Sequence, residues 1–194
     1  MSIVVVEHFS VNSCHASFGG GVYVDKNSKF SGRNLDIQKC SATKEGGAVY
    51  MKGEGASVSV VDSYISYCDA GRSGGGFYVS SNEPSSTSKL VLDNVTVLHN
   101  LNGGIVSAGS KLDVVSSLFA NNTAGRRGGG ALHVLEGHTR VQHTVFYDNY
   151  APAKVGADML CSYESHCTIE ESAFFHDRKF QNFQNKESRA VLHK

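Results

Sequence analysis

Tryptophan is absent from the 194 residues, proline occurs only twice, and 18 basic side chains cancel 18 acidic ones to a formal net charge of +0. Without tryptophan, a core must be assembled from Val, Ile, Leu, Phe and Tyr. The balanced charge speaks against an electrostatic clamp, so no nucleic-acid partner is expected. A charged fraction of 19% beside an apolar fraction of 40% speaks against a disordered chain. Long hydrophobic runs are missing too. The opening run is only Ile3 to Val6, with no basic lead-in and no small-residue cleavage site, so neither a membrane span nor a secretory signal is expected there. Cysteine is scarce and odd in number, at Cys14, Cys40, Cys68, Cys161 and Cys167, which leaves at least one thiol outside any pairing within the chain. Acceptor tripeptides for N-glycosylation at Asn94 and Asn121 lean the compartment toward secretion or the cell surface, within a larger or processed chain.

Glycine is plentiful, at 21 residues, and it is periodic. Runs fall at Gly19 to Gly21, Gly46 to Gly47, Gly74 to Gly76, Gly103 to Gly104 and Gly128 to Gly130, with a weaker echo at Val155-Gly156. Each strong run is followed by a short, mainly apolar segment: Val22-Tyr23-Val24, Val49-Tyr50-Met51, Phe77-Tyr78-Val79, Val106-Ser107-Ala108 and Leu132-His133-Val134. Ahead of the runs, an apolar residue is followed three places later by Asn, Cys or Asp: Phe9/Asn12, Ile37/Cys40, Ile65/Cys68, Val97/Asn100, Phe119/Asn122, Phe146/Asn149 and Phe174/Asp177. Successive anchors are 28, 28, 32, 22, 27 and 28 residues apart, the longest interval holding a polar loop excursion at Ser80 to Ser88. A third apolar alternation precedes the anchors, as in Val58/Val60, Leu90/Leu92 and Leu112/Val114.

Three short period-two segments per roughly 28 residues, with no sustained helical stripe, describe coiled strands. The expected fold is all-β: a single-stranded parallel β-helix of six to seven rungs over residues 1–177, with a basic tail or cap at 178–194. Stacking equivalent positions one rung apart predicts a turn ladder of Asn12, Cys40, Cys68, Asn100, Asn122 and Asn149, whose amides can bond up and down the stack. Glycine serves where the backbone turns a left-handed or crowded corner.

The repeats Phe9-Ser-Val-Asn12, Phe119-Ala-Asn-Asn122 and Phe146-Tyr-Asp-Asn149, with Gly46-Gly-Ala-Val49 and Gly129-Gly-Ala-Leu132, resemble those of the polymorphic outer membrane protein group. More broadly the chain resembles the right-handed, pectate-lyase-like β-helix superfamily. The resemblance implies a right-handed coil and, from the outer membrane group, surface display and adhesion. It also implies an enzymatic alternative, since the superfamily includes polysaccharide lyases, hydrolases and uronate epimerases. Acids just ahead of the anchors, such as Asp62, Asp93, Glu170 and Glu171, are scattered rather than stacked, so a non-catalytic role is favoured and no catalytic residue is assigned.

Two columns are candidate ligand-binding surfaces. Tyr23, Tyr50 and Tyr78, followed by Ser107, His133 and Met159, occupy the strand after the glycines, and alternation turns the tyrosines outward as a platform for sugar rings. An aromatic stack that only stabilises the sheet or meets another protein is the competing reading. Lys44, Arg72, Arg126 and Lys154 form a basic column beside the glycine corner, suited to an anionic glycan or to a solvated edge. Cys161 and Cys167 bracket a loop in which a local disulfide is feasible. Cys40 and Cys68 stack with parallel Cβ vectors, which favours free thiols filling a column. His133, His138 and His143 fall five apart, a spacing that does not gather the three or four ligands of a zinc centre, so no metal and no other cofactor is expected. The expected partner is a glycan or a protein. The amino end enters strand-like sequence with no capping helix, so either the chain is trimmed from a longer one or another subunit covers that end, which leaves a structural solenoid within a larger assembly as the alternative to adhesion.

Overall fold

The computed structural model describes residues 1–81, 87–125, 128–152, 156–175, 183–186 and 189–193, the last two as backbone strands. Arg126 and Lys154 of the expected basic column lie outside these residues, as do most of the Ser80 to Ser88 excursion and Asp177 at the end of the anchor series.

No helix occurs among the described residues, and the chain coils into a parallel β-solenoid of about six turns. A large sheet runs in order through Ser2–Asn12, Ser28–Gln38, Ser57–Ser66, Lys89–Leu98, Lys111–Val115, His138–Gln142, His166–Glu170 and Arg189–His193. Its second limb continues through Leu118–Ala120, Val145–Tyr147 and Ala173–Phe175. A seven-stranded sheet gathers the strands that follow the glycine runs, from Val22–Val24 to Phe183–Lys186, and a three-stranded sheet joins His15–Ala16, Ser41–Ala42 and Asp69–Ala70. The strands within residues 178–194 therefore lie on the sheets themselves, against His166–Glu170 and Met159–Ser162.

The two limbs of the large sheet meet at a bend in every rung. Asn34, Asp62, Asn94, Ser116, His143 and Glu171 all have φ between 45° and 54°, the left-handed region in which Asn and Asp are favoured among residues with a side chain. Asp62 ties three rungs together there, pairing with Arg33 and accepting a hydrogen bond from Asn94 Nδ2 at 2.8 Å.

The core is the inward half of each alternation. Val58 and Val60, Leu90 and Leu92, and Leu112 and Val114 are wholly buried, as are the anchors Ile37, Ile65, Val97, Phe119 and Phe146. The rings of Phe119, Phe146 and Phe174 stack at 5.3 and 4.8 Å between centroids. At the corner before the seven-stranded sheet, Gly46 has φ +69°, and a Cβ there would lie 2.5 Å from the Val49 carbonyl oxygen. A Cβ on Gly75 would run into the Leu101 carbonyl of the next rung. These runs are glycine because rungs one strand spacing apart leave no room for a side chain.

The first rung corrects the sequence expectation. Val11, not Phe9, pairs with Ile37, so the first interval is 26 residues rather than 28 and Asn12 pairs with Gln38. Asn12 is exposed and stands outside the ladder, and the position expected for it is filled by Cys14. Ser2–Asn12 pairs on one side only among the described strands, leaving Ile3 63% and Val5 68% exposed.

Candidate functional site

The turn ladder is Cys14, Cys40, Cys68, Asn100, Asn122 and Asn149, thiols in the first three rungs and amides in the next three. Each is preceded by a left-handed residue, from Ser13 at φ 57° to Asp148 at φ 49°, which turns the following side chain under the chain. The amides are fully buried and linked in series. Asn100 Nδ2 donates to Asn122 Oδ1 at 3.0 Å, Asn122 Nδ2 to Asn149 Oδ1 at 3.0 Å, and Asn149 Nδ2 to Asp158 Oδ1 at 2.9 Å. In the thiol half, Cys68 Sγ donates to the Ser66 carbonyl at 3.3 Å and Cys40 Sγ to the Gln38 carbonyl at 3.4 Å. Cys161 and Cys167 are joined by a disulfide, and Cys14, Cys40 and Cys68 are free.

Tyr23, Tyr50 and Tyr78 do stack on successive rungs, with ring centroids 5.3 and 5.6 Å apart. They do not make the exposed platform expected of them. Tyr23, on the end rung, is 52% exposed, but Tyr50 is 4% and Tyr78 is half-buried. The glycine corner curls back over the column, and Phe18 packs on Tyr50 at 4.8 Å. Burial together with the nearby Glu45 carboxylate pushes the Tyr50 hydroxyl up to about 12. The register continues the column through Val106, His133 and Leu160, in place of the expected Ser107 and Met159, which face inward. His133 is 8% exposed, stands 3.2 Å from Ser162 Oγ, and is lowered by burial to about 4.

The two described members of the basic column are not free cations on a common stripe. Lys44 Nζ sits 4.7 Å over the Phe18 ring, and Arg72 lies 3.6 Å from Glu45. Both are exposed.

A different column faces solvent. On the outer face of the large sheet, Lys89, Lys111, His138 and His166 pair in register, and beside them run Asp113, Arg140 and Thr168. With Thr139 and Glu170 they line an open groove of about 410 Å³. Lys89 binds Asp113 at 2.5 Å and Arg140 binds Glu170 at 3.1 Å, so both carboxylates of the groove are held in ion pairs. Lys111 has no carboxylate within ion-pair distance among the described residues, and the His138 and His166 rings stand 5.0 Å apart next to it. No sequence reading singled out this groove. Its signal was the outward half of the alternation ahead of the anchors, at Lys89, Lys111, His138 and His166, visible only once the rungs are aligned.

The family model described as the right handed beta helix region matches residues 3–174, and the chain belongs to that family. No curated protein and no solved structure matches the chain. No helix of the described residues is long and apolar enough to cross a membrane.

Proposed function

We propose that the protein is a non-catalytic binding module that takes a carboxylated or sulfated glycan along the outer face of its large sheet. The observation that carries this reading is the register of Lys111, His138 and His166 across three successive rungs of one open groove. Parallel rungs repeat about every 4.8 Å, so the column offers donors in a regular row to a polymer with regularly spaced anions. Lys111 contributes a charge that makes no ion pair among the described residues, and the imidazoles and Thr168 add hydrogen-bond donors. The acids of the groove are each tied to a cation, which favours binding over acid–base chemistry. Tyr23 remains an exposed aromatic at the end of its column, but Tyr50 and His133 are too deeply buried to meet a sugar. The resemblance of the repeats to those of the polymorphic outer membrane protein group supports an adhesive setting.

The test is a titration of the protein with a polyuronate and with a sulfated glycan at low and moderate salt. Binding that weakens at least about tenfold in Lys111→Ala and in the His138→Ala/His166→Ala double variant, and that falls with salt, is the expected result. Affinity unchanged in both variants would sink the assignment. Release of unsaturated uronate products would replace it with the lyase alternative.

A further inference from the structure

Three thiols share one column in the first three rungs of the solenoid. The Ser41 N–H donates to the Cys14 carbonyl at 2.8 Å and the Asp69 N–H to the Cys40 carbonyl at 3.0 Å, which fixes Cys14, Cys40 and Cys68 as equivalent positions of three consecutive rungs. Cys40 Sγ reaches the Val11 carbonyl of the first rung at 3.8 Å and Cys68 Sγ the Ile37 carbonyl of the second at 3.8 Å, so each thiol leans toward the rung before it along the column. Cys14 is partly exposed, whereas Cys40 and Cys68 are buried.

Rung spacing decides what such a pair can hold. Residues stacked in a parallel sheet sit about 4.8 Å apart with parallel Cβ vectors, while a disulfide needs its sulfurs within roughly 2.05 Å and its Cβ atoms within about 3.5–4.5 Å. A metal ion held in line between two thiolates fits the spacing better, because two metal–sulfur bonds of roughly 2.3 Å place the sulfurs about 4.6 Å apart. Among the described residues, no three His, Cys, Asp or Glu side chains are placed to hold one metal ion, which leaves no zinc centre of the usual kind. Soft thiolates suit Cu(I), zinc and iron–sulfur clusters, and of these Cu(I) is the ion content with the two ligands that the column offers.

We propose that Cys14 and Cys40 form a two-coordinate site for Cu(I) at the amino-terminal end of the solenoid. The ion enters past the partly exposed Cys14 and bridges to Cys40 beneath it. Each thiol gives up its proton to solvent and forms one sulfur–copper bond, so one Cu(I) displaces two protons, no electron is transferred, and the site carries a net charge of −1. Because two protons leave for each ion bound, uptake tightens as pH rises. Cys68 lies one rung deeper and serves as packing beneath the site.

The experiment is anaerobic transfer of Cu(I) from a chromophoric chelator to the full chain, with ascorbate keeping the metal reduced and circular dichroism confirming that each variant is folded. One Cu(I) per chain with two sulfur neighbours by X-ray absorption is expected. Uptake is lost in Cys14→Ser and in Cys40→Ser and is kept in Cys68→Ser. Should Cys40→Ser fail to fold, Cys14→Ser on the end rung carries the test. Failure of the wild-type chain to take copper from the chelator, uptake unchanged in Cys14→Ser, or a mixed sulfur and nitrogen shell each overturns the proposal.

Discussion

Asn122 donates twice to one atom of Asn149: its backbone N–H and its Nδ2 each lie 3.0 Å from Asn149 Oδ1. The second Nδ2 hydrogen reaches the Val97 carbonyl at 2.9 Å, and Asn122 Oδ1 in turn receives both the N–H and the Nδ2 of Asn100 at 3.0 Å. One buried side chain thus satisfies two backbone groups of the rung before it and bonds the asparagine of the rung after it.

Removing it should therefore cost far more than removing an asparagine outside the ladder. Asn122→Ala strands the Asn100 N–H, takes one of the two partners of Asn100 Nδ2, which keeps the Ile65 carbonyl, and removes the side-chain donor to the Val97 carbonyl; each buried group left alone costs roughly 1–3 kcal/mol. A loss of about 3 kcal/mol or more is expected. Asn12→Ala, at an exposed site, should stay within about 0.5 kcal/mol. Urea unfolding of the two variants decides, and equal losses would contradict the register that puts Cys14 in the ladder.

The tyrosine column gives a second contrast. Tyr50 is buried between Tyr23, Tyr78 and Phe18, so Tyr50→Ala should destabilise by about 3–5 kcal/mol, as large aromatic deletions from a core do. Tyr23→Ala, at the half-exposed end of the stack, should cost about 1 kcal/mol or less. Thermal unfolding of both variants checks this, and a cheap Tyr50→Ala would restore the idea of an open platform.

His133 should make stability depend on pH. Its native value of about 4 lies below the ordinary imidazole value near 6.5, so the unfolded chain binds a proton that the folded chain refuses. The contribution is fully present above about pH 6.5 and falls as pH drops toward 4, by at most roughly 3 kcal/mol over that window. The difference in unfolding free energy between wild type and His133→Leu, followed from pH 7 to pH 4, should narrow by that amount. A constant difference would show that the imidazole is already hydrated.

Much of this architecture could be read along the chain because a solenoid writes its period into composition. The anchors aligned five of six intervals correctly, since each marks a backbone requirement that recurs unchanged, whereas the segments after the glycine runs slipped by one residue at Ser107 and Met159. The first interval failed because Phe9 mimics an anchor: it follows His8, which bends the strand as Asn34 does in the next rung, and Val11 is the residue that pairs with Ile37. The tyrosines were stacked as expected but buried, because alternation tells which face a side chain takes and not whether a neighbouring turn folds over it. Phe18 and Gly19, about thirty residues before Tyr50 and one rung away, supply that cover.

The sequence by itself determined the repeat, the parallel β-helix and the identity of the residues that line its corners, because crowding between adjacent rungs admits only glycine at some positions and favours Asn or Asp at others. Only the tertiary structure decided which columns reach solvent. Lys111, His138 and His166 are separated by 27 and 28 residues and carry no common motif, yet hydrogen bonding between parallel strands sets them side by side on one open face. The same register lines up Cys14 with Cys40 and Cys68. Register is a property of neighbouring rungs pairing with one another, so a surface shared by several rungs exists only after the coil has closed.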